Sequence, residues 1–366
     1  MKAAHAARRN GSIDFMKFLF TLMVMCFHSS KFFPGGYIAV EFFFIVSGFL
    51  MAKTMKKREA AYTPLGKETV SFVLHKAGGI FPFYVVAWFM SFFAAQIAGQ
   101  MEAAVSSTEF FRSFYNIFML EMSGSYDMGH RIMGSWYISA MLLAMLVLYP
   151  LRRRFTDVFD HIVAPVLVLL FTGYAYQQGK GISLTVTYIP HLFIYNGLFR
   201  ALAEISLGCI CYHVVAKFIK LRFTIFGRIL VTLGELLGYG TVFFFAATAS
   251  RSDIDLVLLP ILAVSVSLSF SGKSLLSGLF NHKPFYFLGS FCLQLYLTHE
   301  AVRTKILPLL QQIYPLSLLM DNTWGYLLVF IYVTVVFALF CYVIGTLLQL
   351  FVPKLGAFLK KCIVAA

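Results

Sequence analysis

The sequence predicts an all-α, polytopic integral membrane protein with about ten transmembrane helices, and three observations lead there. Of its 366 residues, 60% are hydrophobic and only 13% are charged, whereas soluble domains run about 45–50% apolar and about 25% charged. Apolar runs long enough to cross a bilayer recur along the whole chain. Short basic clusters separate those runs, so the net charge of +14 is spread among connections. A nucleic-acid binder needs a contiguous basic face instead. This composition excludes a soluble enzyme, a disordered chain and a small disulfide scaffold.

Taken in order, spans are expected near residues 13–33, 37–53, 79–98, 132–150, 161–177, 194–216, 226–249, 255–271, 285–302 and 324–352. Each must be helical, because hydrocarbon offers backbone polar groups no other partner. A further apolar stretch, Phe110–Met122, carries Arg112 and Glu121 and is expected to be interfacial or re-entrant. With the N-terminus placed in the cytoplasm, 21 Lys and Arg fall inside and 7 outside, while Lys17 and Arg200 within spans complete the 30. That asymmetry is the positive-inside signal. The first apolar run contains Asp14 and Lys17 and has no A-x-A-like cleavage site, so no signal peptide is expected. One membrane-embedded domain is expected over 1–366, with no appended soluble domain.

Five of the six cysteines, Cys26, Cys209, Cys211, Cys292 and Cys341, lie within apolar runs, where a free thiol behaves as a small hydrophobe. Cys209-x-Cys211 lacks the spacing and partners of a zinc site. Neither a metal nor a disulfide is expected.

Ionisable groups inside a bilayer are costly, so those present should face the bundle interior or a water-filled cavity. In the first span Lys17 and His28 stand eleven residues apart. At about 100° per residue they return to within about 20° of one face, roughly 16 Å apart along the axis. A snorkelling lysine with a satisfied histidine is the bland account; a cation and a proton-transfer group on one stripe is the functional one. Glu41 opens the second span, and the short connection from His28 is expected to bring its carboxylate beside the imidazole, where it would orient the ring. A buried ion pair that only specifies packing is the other reading. Gly48 reads as a close helix contact, and the role of Ser47 stays open. Arg200 and Glu204, one turn apart, can neutralise each other. Glu235 has no local partner, and His299 and Glu300 lie at the outer end of the ninth span. The basic stretch 53–78 reads as a cytoplasmic loop that sets topology, with attraction for anionic lipid or a phosphate-bearing donor as the alternative.

Three separated stretches together resemble the acyltransferase-3 family, membrane enzymes that O-acylate extracytoplasmic glycans. Lys17-x10-His28 is similar to the family's Arg/Lys-x10-His motif. GYIAVEFFFIVSGFL, Gly36 to Leu50, resembles G-x-x-G-V-D-x-F-F-x-x-S-G-F-L, with Glu41 as the acid and Ala39 at the second glycine. FCLQLYLTH, Phe291 to His299, is similar to the closing S-Y-x-x-Y-L-x-H. Two positions depart from the family pattern. HKAGGIFP keeps Lys76 but has Gly79 at the second arginine of R-x-x-R, and WYISAM keeps Trp136 but has Met141 at the glutamate of W-x-L-x-x-E.

The resemblance implies an O-acyltransferase of the plasma (inner) membrane, multi-pass with a cytoplasmic N-terminus. It implies acetyl-CoA or another acyl-CoA as donor, and a glycan or lipid-linked saccharide as acceptor. His28 would be the base or acyl relay and Glu41 its partner. Lys17, Lys76 and Ser47 would serve the donor, and Trp136, Tyr296 and His299 the acceptor. Glu204 or Glu235 could replace the carboxylate absent at Met141. A homo-oligomer stays open. Two other classes also stay open: a transporter or flippase of a lipid-linked or acyl substrate, since buried charges suit a translocation path, and a catalytically silent relative. The absence of a repeat between halves counts against the transporter.

Overall fold

The first helix starts where Asn10 lends its side-chain oxygen to the Ile13 amide at 3.1 Å, the usual way an N-cap satisfies an orphan donor. From there the computed structural model is almost wholly helical. It describes residues 9–29, 32–58, 63–99, 103–124, 130–132, 134–179, 181–182, 188–189, 194–250, 253–313 and 315–364. The long helices are α1 (Gly11–His28), α2 (Ala39–Lys57), α3 (Leu65–Ile97), α4 (Trp136–Arg154) and α5 (Thr156–Gln177), followed by α6 (Asn196–Phe218), α7 (Ile225–Thr248), α8 (Ile254–Ser271), α9 (Lys283–Ala301) and α10 (Thr323–Val364). The only strands among the described residues pair Tyr188–Ile189 with Ile194–Tyr195.

Every expected span coincides with one of these helices, although a count of ten spans is not confirmed. Among the described residues eight helices are long and apolar enough to cross a membrane. The other two, α4 and α9, form as helices but carry more polar residues. α4 ends in Arg152, Arg153 and Arg154, and α9 contains Lys283, Gln294, His299 and Glu300. The expected basic loop 53–78 is also revised: α2 runs on to Lys57 and α3 begins at Leu65, so its described part is mostly helix. The stretch Phe110–Met122 breaks into short helical pieces, Ala103–Arg112, Phe114–Ile117 and Glu121–Ser123, each too short to span.

The chain forms two compact units. The first comprises residues 1–73, 122–124 and 136–292, and the second 74–121, 125–135 and 293–366. In the first unit, α2 lies directly on α6 because both carry glycine at the crossing. A Cβ on Gly48 would collide with the Ile205 carbonyl, and one on Gly208 with the Ile45 carbonyl. Small residues allow this approach, as the sequence reading of Gly48 proposes. Aromatic stacking adds to the packing, with Phe20 on Phe42 at 4.3 Å and Phe49 on Phe270 at 3.7 Å. In the second unit α10 supports α3 around Pro82, which cannot donate within the helix. Cys341 donates to the Phe83 carbonyl and Gln349 to the Gly79 carbonyl.

Candidate active site

The α2–α6 crossing places three charges together. Glu41 lies two turns before Gly48, and Arg200 and Glu204 lie two and one turns before Gly208, so the glycines that let the helices meet also bring these side chains face to face. Arg200 Nη2 donates to Glu41 Oε1 and, at 3.3 Å, to the Tyr37 carbonyl, while Nε donates to Glu204 Oε1 at 3.2 Å. All three side chains are fully buried. Trp136 covers the guanidinium, its ring 5.8 Å from Arg200 Cζ. Tyr37 is fixed in turn by Asp255, 2.6 Å from its hydroxyl. Removing both partners of an ion pair can be neutral, but stranding one of them is expensive. The cluster therefore holds α2, α4 and α6 in one arrangement.

Glu41 thus receives its hydrogen bond from Arg200 and not from His28, so the expected direct pairing with the imidazole is not formed. The physical reason is competition: in a dry site the carboxylate takes the guanidinium already at hydrogen-bonding distance, whose charge makes the bond a strong one. Ser47 lies on the same helix as Glu41, buried, with its hydroxyl 3.3 Å from Met141 Sδ and 3.4 Å from the Tyr137 hydroxyl. Glu235 is elsewhere, between α7 and α8, where Ser269 donates to it at 2.5 Å and Tyr239 meets Ser269 at 3.0 Å.

α1 carries its polar groups differently. Lys17 is part-exposed and its Nζ lies 3.1 Å from Asp14 Oδ1, one turn earlier. The second oxygen of Asp14 takes Arg9 at 2.8 Å, and Arg9 continues to Ser290 Oγ and the Tyr286 carbonyl. Eleven residues on, His28 is the last residue of the same unbroken helix, part-buried and edge-on to Phe27 at 5.0 Å. Both side chains are part-exposed, the lysine about three turns before the imidazole.

In the second unit, Tyr296 donates to the Gly134 carbonyl at 2.6 Å, and His299 Nδ1 lies 2.7 Å from the Tyr296 carbonyl, fully buried. Gly134 has φ +93°, a conformation that favours glycine. Lys76 is part-exposed on α3. Outside the spans, Glu121 is buried and takes hydrogen bonds from Ser135 and, at 3.0 Å, from Tyr84. Burial pushes its carboxyl up to about 7. Burial also drives the nearby His130 imidazole down to about 4, its Nε2 3.2 Å from Ser91.

The family model described as an acyltransferase domain matches residues 10–346, nearly the whole chain. The chain belongs to the acyltransferase-3 family. No curated protein and no solved structure matches it significantly. Family membership together with the apolar helices supports a membrane acyltransferase.

Four motif positions of this acyltransferase, Glu41, Ser47, Trp136 and Met141, gather where α2, α4 and α6 meet, around Arg200 and Tyr137. Lys17 lies in the second turn of α1 and His28 at its last residue. At the position where the family carries glutamate, the Met141 thioether accepts from Ser47. Glu204 is bound to Arg200 and Glu235 to Ser269, so neither carboxylate takes over that contact. Sequence reasoning passed over Asp14, although its i, i+3 spacing to Lys17 is the signal for it. It also missed Tyr37, Tyr137 and Asp255, whose partners are too distant in sequence to leave any local sign.

Proposed function

We propose that this protein is a membrane O-acyltransferase that moves an acetyl group from cytoplasmic acetyl-CoA to a hydroxyl of an extracytoplasmic or exported polysaccharide. The observation that carries the reading is α1: one unbroken helix with a part-exposed cation near its start and a part-exposed imidazole at its end. In this reading the N-terminus is cytoplasmic, the membrane is the plasma (inner) membrane, and Lys17 meets an anionic group of the donor. His28 takes the proton from the acceptor hydroxyl as that oxygen attacks the thioester carbonyl. The C–S bond breaks, and the departing sulfur of CoA receives that proton from His28 and leaves as the thiol. An acyl-histidine relay would use the same residue as nucleophile. Lys76 and Ser47 assist on the donor side, and Trp136, Tyr296 and His299 on the acceptor side. Glu41 and Glu204 act at one remove, through the Arg200 cluster that fixes α2 against α6.

The test is reconstitution of the full chain in liposomes with labelled acetyl-CoA and a polysaccharide acceptor. Label should reach the glycan, and His28→Ala should slow transfer by about 10²–10⁴-fold. Equal rates for His28→Ala and the parent would remove His28 from the chemistry. Counterflow of substrate without acyl transfer would favour the transporter reading instead.

A further inference from the structure

Where α2, α4 and α6 end together in the first unit, a cavity of about 220 Å³ opens away from every residue assigned a role above. Lys56, Arg152, Arg153, His213, Lys217 and Lys220 line it, with Asp160 as its one carboxylate. Arg152 is nearly buried and tightly held. Its Nε and Nη2 each lie 2.8 Å from an Asp160 oxygen, Nη1 reaches Met55 Sδ, and Tyr212 lies beneath the guanidinium at 5.9 Å. Asp160 sits on a π-helical turn, Phe159–Val163, a local departure from α geometry of the kind that marks functional sites. His213 Nδ1 lies 3.4 Å from the same carboxylate, and its Nε2 has no hydrogen-bond partner among the described residues.

Cationic side chains outnumber carboxylates at this spot: Lys56, Arg152, Arg153, Lys217 and Lys220 line the cavity with Asp160, and Glu68 pairs with Arg153 behind it. Arg152 is held by Asp160 and Arg153 by Glu68, whereas neither Lys217 nor Lys220 has an ion-pair partner among the described residues. Two unpaired ammonium groups suit the negative charge of a phosphodiester.

Two further observations choose among phosphate bearers. The cavity is smaller than the roughly 300–1,000 Å³ that encloses a drug-sized ligand, so it suits a headgroup and not an entire nucleotide cofactor. Its lining residues also alternate with exposed apolar ones: Phe155 and Val158 precede Asp160, and Val214 and Ile219 flank Lys217. A ligand seated there would present its phosphate to the cations and its hydrocarbon to these side chains. Basic pockets between transmembrane helices bind phospholipid headgroups in this manner. We infer that this cavity is a binding site for the phosphodiester headgroup of an anionic phospholipid. It does not depend on the proposed acyl transfer.

The experiment titrates the detergent-solubilised full chain with short-chain phosphatidylglycerol and, separately, phosphatidylcholine, reading affinity by thermophoresis. Phosphatidylglycerol should bind more tightly, and the double variant Lys217→Gln/Lys220→Gln should weaken it about thirtyfold, about fivefold for each lysine. Lys273→Gln, which removes a cation outside the cavity, should leave affinity unchanged. Equal binding of the two lipids, or an unaltered affinity in the double variant, would overturn the proposal. Displacement of phosphatidylglycerol by coenzyme A would also overturn it, assigning the cavity to a soluble phosphate donor.

Discussion

The α2–α6 crossing and the α1 helix both carry charge into apolar surroundings, and they handle it in opposite ways. At the crossing, Glu41, Arg200 and Glu204 are sealed from solvent, bound to one another and capped by Trp136. On α1, Lys17 and His28 stay part-exposed, and Lys17 shares Asp14 with Arg9. Sealed charges bound to each other hold helices in place, whereas part-exposed ones can still reach a substrate. The contrast gives architecture to the first region, and under the proposed function it leaves chemistry to the second.

The largest effect should come from breaking the sealed cluster. Arg200→Met leaves two buried carboxylates without their cation and should destabilise the fold by about 3–5 kcal/mol, read as a loss of thermal midpoint or of folded protein in detergent. Replacing the crossing glycine comes next. Gly48→Leu forces the α2 and α6 backbones apart and should cost roughly 1–3 kcal/mol, checked by the same melt. If either variant melted like the parent, the crossing would not be the structural anchor described here.

Changes on α1 should spare stability and alter kinetics. Lys17→Gln should raise KM for acyl-CoA about tenfold while leaving kcat close to the parent value, the loss of one charge-assisted contact of about 1.5 kcal/mol. A drop in kcat alone would place Lys17 with the chemistry instead of the donor.

Glu121 sharpens the comparison from outside the spans, because hydroxyls supply its hydrogen bonds and Arg131 acts on it through its charge. Burial raises its carboxyl from 4.5 to about 7. Between those values the native state binds more protons than the unfolded chain, so stability should fall as pH rises through that window. The lowered His130 contributes a slope of opposite sign up to about pH 6.5. The Glu121 effect is therefore read as the difference between the parent's and Glu121→Gln's thermal midpoints measured between about pH 4.5 and 8, a difference that should shrink as pH rises. This is the smallest of the expected effects.

How much of this was legible in the sequence depended on the range of the interaction. Hydrophobic runs located all ten long helices, because apolarity and length are local properties. Their ends were less clear: residues 65–78 read as a basic loop because charge obscured a helix that continues into α3. Arg200 and Glu204 were readable as a pair from their spacing, but Glu41, 159 residues before Arg200, was not. Its nearer neighbour His28 looked like the partner, since sequence distance shows proximity but not which donor competes better. The basic cavity was likewise invisible, because its lining comes from the ends of α2, α4 and α6 and the start of α5, which sequence alone does not bring together.

The division of labour between the two regions is tested most directly by a paired measurement on His28→Ala and Arg200→Met, reconstituted side by side. Each should be assayed for acyl transfer from labelled acetyl-CoA and for thermal midpoint. The account predicts that His28→Ala melts with the parent yet loses about 10²–10⁴-fold in rate, while Arg200→Met loses its fold and, with it, its activity. A His28→Ala protein that transfers label at the parental rate, or an Arg200→Met protein as stable as the parent, would contradict it.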